Sequence, residues 1–198
     1  MRICAILCIT IVFLAACSTE PANTPPHQLA LFQTSGQQKE LPKERISPLK
    51  QAAGLIDNAV VKVAYSSPAM RGRIIWGALV PYNEVWRTGA NEATRITFEK
   101  DVLVEGQLLK AGTYSLYSIP SEHEWTIIFN EIWDQWGTEY DPAFDVLRVK
   151  VRPQPLPSPQ ENLQIEVEPT GISISWEKIK VSVNIRGITE SESSPDAG

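Results

Sequence analysis

The chain has 198 residues, with 18 Lys and Arg against 23 Asp and Glu and a formal charge of −5 when both His are neutral. A mildly acidic surface argues against nucleic acid and anionic lipid headgroups as electrostatic partners. Two His and three Cys leave little material for a transition-metal site or for thiol- or His-dependent nucleophilic catalysis.

The first twenty residues read MRICAILCITIVFLAACSTE, with Arg2 followed by an apolar run from Ile3 to Leu14. That run falls short of the roughly 20 apolar residues that span a bilayer, and small residues ahead of a cleavage point mark a secretory signal. A signal peptide is expected over residues 1–16. Leu14-Ala15-Ala16-Cys17 also resembles the bacterial lipobox, which implies diacylation of Cys17, and two or more acyl chains hold a membrane where one is marginal. Ser18 is not the Asp that resembles an inner-membrane retention signal, so the outer membrane is the expected attachment. Cleavage would remove Cys4 and Cys8, leaving one lipidated cysteine and hence no disulfide framework or Cys-based metal site.

Residues 17–47 carry Pro21, Pro25, Pro26 and Pro42 with little apolar periodicity. They read as a disordered tether, whose reach by chain statistics is about 30 Å. Residues 48–188 are numerous enough for one hydrophobic core. The end of the chain, 189–198, is Ser, Glu, Asp and Pro without an apolar anchor and reads as a frayed tail.

From Ala59 onward apolar residues alternate with polar ones at period two, the mark of half-buried strands. Strands are expected at Val60–Tyr65, Arg73–Leu79, Thr94–Phe98, Val102–Val104, Leu108–Lys110, Thr113–Ile119, Trp125–Asn130 and Asp145–Val151. Three more follow around Leu163–Val167, Ile172–Trp176 and Ile179–Ile185, with a turn at Pro169-Thr170-Gly171. Pro153 to Pro159, PQPLPSP, reads as an exposed crossover, because proline cannot sit in a central ladder. Glu131 to Pro142 reads as a loop or one helical turn over one end of the sheets. About ten short strands at this spacing make an all-β antiparallel sandwich or jelly-roll-like fold the expected architecture, with a closed barrel as the alternative.

The stretch from Ser67 to Phe98 is the densest in large aromatic and hydrogen-bonding side chains. Within it Arg87 offers a planar fork of donors for carboxylate, phosphate or hydroxyls, Asn91 offers donor and acceptor, and Glu92 could act as an acid or base. Arg71 and Arg73, as alternate residues, would share one side of an extended chain and complete an anion-binding corner. The same residues are structural if Trp86 plugs the core and Arg87 and Asn91 satisfy loop backbone. Trp133, Trp136 and Tyr140, interspersed with Asp134, Asp141 and Asp145, have the composition of a sugar platform or, equally, of a cap on the sandwich. Acidic residues there are numerous enough for Ca²⁺ but do not fit an EF-hand.

The runs SSPAMRGRIIWG, VWRTGANEATRITF, GTYSLYSIP, EWTIIFN, QWG, DVLRVKV and ISISWEKIKVSVNI resemble the bacterial envelope family catalogued as domain of unknown function 2911, over about Ser47 to Ile185. The resemblance implies an exported β-rich protein and brings no activity with it. Its motif positions here include Arg71, Arg73, Trp86, Arg87, Asn91, Glu92, Trp136, Gly137, Asp145 and Arg148.

The expectation is therefore a lipid-anchored envelope protein that binds a saccharide or envelope fragment through Arg71, Arg73, Trp86, Arg87, Asn91, Glu92, Trp136 and Asp145. No cofactor is expected, and no catalytic residue is assigned. A metal-independent hydrolase built on Glu92 with Asp134, Asp141 or Asp145, and a structural or protein-interaction role, stay open.

Overall fold

The computed structural model describes residues 45–188. The expected signal peptide, Cys17, the expected tether up to residue 44 and the expected tail over 189–198 lie outside the described residues.

Ten strands follow in order: β1 (Leu49–Ile56), β2 (Ala59–Ser66), β3 (Thr94–Phe98), β4 (Val102–Val104), β5 (Gln107–Leu109), β6 (Gly112–Ile119), β7 (Trp125–Asn130), β8 (Asp145–Val151), β9 (Gln154–Glu168) and β10 (Gly171–Gly187). They form a six-stranded sheet, β1-β2-β3-β6-β7-β8, and a four-stranded one, β5-β4-β10-β9. Every pairing between strands is antiparallel. The larger sheet is an up-and-down run broken once, where the β4–β5 hairpin crosses to pair with β10. The protein is an all-β sandwich.

Period two places the core. Val61, Val63 and Tyr65 of β2, Ile96 and Phe98 of β3, and Trp125, Ile127 and Phe129 of β7 face Ile172, Ile174, Val181, Val183 and Ile185 of β10 in one buried cluster. Four tryptophans, Trp76, Trp86, Trp125 and Trp176, pack together within or against this core. Trp76 meets Trp125 edge-on at 4.7 Å and Trp176 at 5.9 Å, while Trp86 stacks on Trp176 at 5.9 Å with 19° between planes. Such pairs add about 0.5–1.5 kcal/mol each beyond their buried area.

The structure departs from the expected strands in four places, the first being that Ile172–Trp176 and Ile179–Ile185 are parts of one continuous strand, β10. Arg73–Leu79 is not a strand. Ile75 and Trp76 are adjacent and both buried, which a half-buried strand forbids, and the chain turns instead, with Gly77 N–H bonded to Val80 O at 2.9 Å and Leu79 N–H to Ile74 O at 3.3 Å. The proline run is not a crossover but the start of β9, opposite Ile179 and Lys180, with bulges around Glu177. β9 is an edge strand, where a missing N–H goes unmissed. Finally, β1 precedes the first expected strand and pairs with β2 along its whole length.

Candidate functional site

The residues after β7 lie across the outer face of the larger sheet, not over its end. Outward side chains of β6 and β7 would normally meet water, yet Ser115, Tyr117, Ile128 and Asn130 are fully buried. Ala93, Tyr117 and Ile128 make a second small apolar cluster against Ile119 and Tyr140. Polar contacts then fix the loop. Ser115 Oγ donates to Ile132 O at 2.8 Å, and Asn130 Nδ2 donates to Asp141 O at 2.8 Å and Asp145 Oδ1 at 2.9 Å.

Asp145 is the knot of this network. Its Oδ2 accepts the Tyr140 hydroxyl at 2.6 Å and Arg148 Nε at 2.8 Å, and its side chain is only 7% exposed. Burial first, and then the hydrogen bond to the Asp145 carboxylate, push the Tyr140 hydroxyl up to about 12. The same carboxylate raises Arg148. A charged acceptor meeting three donors is the strong kind of hydrogen-bonded site.

On its other edge the loop runs antiparallel to the chain entering β3: Ala93 N–H reaches Gln135 O at 3.2 Å and Gly137 N–H reaches Asn91 O at 3.0 Å. Gly137 has to be glycine. A Cβ there would collide with the Arg87 stem and lie 2.7 Å from Asn91 O.

Held this way, the loop forms a wall beside the uncovered part of the sheet. Two adjoining clefts of about 440 Å³ and 450 Å³ share Ala64, Arg95 and Trp133. The floor of the first is made of small side chains, Ala53, Ala64, Thr97 and Thr113, and Lys62 stands beside it. Around the second stand Arg45, Glu92, Asp134, Trp136 and Glu139. Trp133 and Trp136 are 39% and 47% exposed. Arg95 sits over the Trp133 ring, 5.3 Å from its centroid, and its guanidinium makes no hydrogen bond or ion pair among the described residues. Glu92 pairs with Arg45 and accepts Ser66 Oγ at 3.4 Å. The Arg45 hydrogen bond holds its carboxyl below the usual range.

The eight expected site residues therefore separate. Glu92 and Trp136 line the second cleft. Trp86 is packed in the tryptophan cluster and donates Nε1 to Gly89 O at 3.2 Å. Arg73 caps its own turn, with Nε to Met70 O at 2.9 Å and a second nitrogen to Ala69 O at 2.6 Å. Arg71 reaches Ile46 O at 3.4 Å. Arg87 lies under Gly137 with Nε buried and unpartnered. Asn91 takes a left-handed φ of 61° in the turn beside it, and Asp145 anchors the loop. Arg45, Lys62 and Arg95 line the clefts without having been singled out. For Arg95 the signal was present, since it alternates with the inward Thr94 and Ile96 and so must face outward.

Among the described residues no group of three His, Cys, Asp or Glu is placed to hold a metal, and no helix is long and apolar enough to cross a membrane. Fold and site together define a β-sandwich with a loop-walled groove on one outer face. The chain belongs to the family described as protein of unknown function (DUF2911), whose family model matches residues 47–185. No match is found among curated proteins or solved structures.

Proposed function

We propose that this protein is an envelope-anchored binding module that takes a saccharide or cell-envelope fragment in the outer-face groove, with a lipidated Cys17 as its membrane attachment. One observation carries the binding half of this reading. Two exposed tryptophans, Trp133 and Trp136, stand on a loop pinned at both edges beside about 900 Å³ of open cleft, taken as the order of the two volumes together. The apolar face of a sugar ring stacks on an indole, and its hydroxyls pair with nearby Arg, Thr, Glu and Gln. A rigid platform keeps its geometry without the ligand, so little ordering cost falls on binding.

The hydrolase alternative gains nothing from the geometry. Arg45 keeps Glu92 ionised, the wrong state for a general acid near neutral pH, and the donors on Asp145 leave it tied to the loop.

The test is a thermal-shift and tryptophan-fluorescence titration of the full chain with envelope oligosaccharides. At a hundred times the dissociation constant, binding adds about 2.7 kcal/mol of stability, a rise of several degrees. Silence across the panel, with a protein partner retained on purification, would replace this reading by the protein-interaction one. For the anchor, Cys17→Ser is expected to move the protein from the membrane fraction to the soluble one; a variant that stays with the membrane would rule out lipidation as the attachment.

A further inference from the structure

Resting on the saccharide reading, we propose that the ligand is an acidic glycan, a chain containing uronic acid, whose carboxylate seats between Arg95 and Lys62 in the cleft over β1, β2 and β3. The two clefts differ in charge. Among the described residues the charged side chains lining the first are Lys62 and Arg95, both cations. Those lining the second include the carboxylates Glu92, Asp134 and Glu139 beside Arg45 and the shared Arg95. On a chain whose formal charge is −5, a cleft wall free of carboxylates is a local selection for an anion.

Arg95 supplies the recognition geometry. Its guanidinium lies over the Trp133 ring at 5.3 Å, which restrains its position, and among the described residues none of its N–H groups is spent on a hydrogen bond or ion pair. A guanidinium presents these donors as a planar fork that matches the two oxygens of a carboxylate. Lys62 stands across the small side chains of the floor, paired with Glu99 at 2.6 Å. Both partners of that pair are about half exposed, at 58% and 48%, and such pairs contribute little, so a ligand carboxylate can take the place of Glu99 at small cost. Thr97 and Thr113, whose hydroxyls lie 3.0 Å apart, offer the sugar hydroxyls further partners. The small floor of Ala53 and Ala64 leaves room for a ring beside Trp133.

The experiment is isothermal titration of the full chain with the trisaccharide of galacturonic acid and with neutral galactotriose, at one ionic strength. The acidic trisaccharide is expected to bind at least tenfold more tightly. Arg95→Gln is expected to abolish that preference. Lys62→Gln, a change at an exposed side chain, is expected to reduce the preference by a smaller factor. Arg95→Lys, which keeps the charge and removes the fork, is expected to fall between wild type and Arg95→Gln. Equal binding of the two sugars, or a preference untouched by Arg95→Gln, overturns the acidic-glycan proposal and leaves the saccharide reading standing. Binding of neither sugar overturns both.

Discussion

On its inner face the six-stranded sheet buries Ile96, Phe98, Leu116, Ile127 and Phe129 in one core with a second sheet and a cluster of four tryptophans. On its outer face, over β6 and β7, it buries Ser115, Tyr117 and Asn130 under a loop tied down by Asp145. Over β1, β2 and β3 the same outer face stays open, floored by Ala53, Ala64, Thr97 and Thr113. The inner face is held by contact area, which is large and non-directional. The outer face is held by a few directional bonds around one charge, which contribute less free energy but specify where the loop lies. That division suits a binding protein, because the loop can be placed without covering the surface it frames.

The comparison is broken most directly on the inner side. Trp176 is almost fully buried and touches two other tryptophans, so Trp176→Ala should cost about 3–5 kcal/mol, the range for large aromatic truncations. Urea denaturation reads this as a lower midpoint. A loss under about 1 kcal/mol would mean that the tryptophan cluster is not where the sandwich gets its stability.

On the outer side Asp145→Asn keeps the shape and removes the charge. Hydrogen bonds to a charged group are worth about 1.5–3 kcal/mol, and Arg148 is 45% exposed, so a loss near 2 kcal/mol is expected. Tyr140 gives a second readout. Its folded pKa, raised from 10.0 to about 12, exceeds its unfolded value, so its proton contributes stability that is whole below pH 10 and is lost as pH rises toward about 12. Burial also raises Tyr65, Tyr82, Tyr114 and Tyr117, so the signature of Tyr140 is the difference between the wild-type and Asp145→Asn tyrosinate titrations. In Asp145→Asn Tyr140 should titrate earlier, because the anionic acceptor that opposed its ionisation is gone. An unchanged titration would detach Tyr140 from the Asp145 knot.

How far these regions were legible in the sequence follows from the same physics. Strands buried on one face advertise themselves by alternation, and Thr94–Phe98, Val102–Val104, Trp125–Asn130 and Asp145–Val151 have the bounds that the period gave. β1 did not show because its outer side carries Gln51 and Ala53 beside the groove and its only fully buried residue is Ile56; the Asp57-Asn58 pair joining it to β2 was the available signal. Arg73–Leu79 imitated a strand because a turn that buries two adjacent residues has no period of its own. The tryptophan motif drew attention for its composition, yet Trp86 belongs to the core, and Glu92 reaches the groove only because Trp136 comes back beside it through a long loop. Such a meeting is a property of the fold, and no spacing in the chain encodes it.

Trp136 gives the smallest change in stability and the sharpest separation of the two regions. Its ring is 47% exposed, and its links are backbone ones, a bridge with Glu92 and a hydrogen bond from Glu139 N–H, which survive loss of the side chain. Trp136→Ala should thus lower stability by on the order of 1 kcal/mol, far below Trp176→Ala, though both delete an indole. If the outer face is a binding surface, affinity for a stacked sugar should fall at least tenfold, since base and ring stacking on an aromatic is worth about 1–3 kcal/mol in the comparable case of nucleic acids. The pair of variants measured side by side, by denaturation and by ligand titration, distinguishes two kinds of tryptophan. A Trp136→Ala protein that loses several kcal/mol would make the ring a structural cap on the loop and remove the indole from the proposed platform.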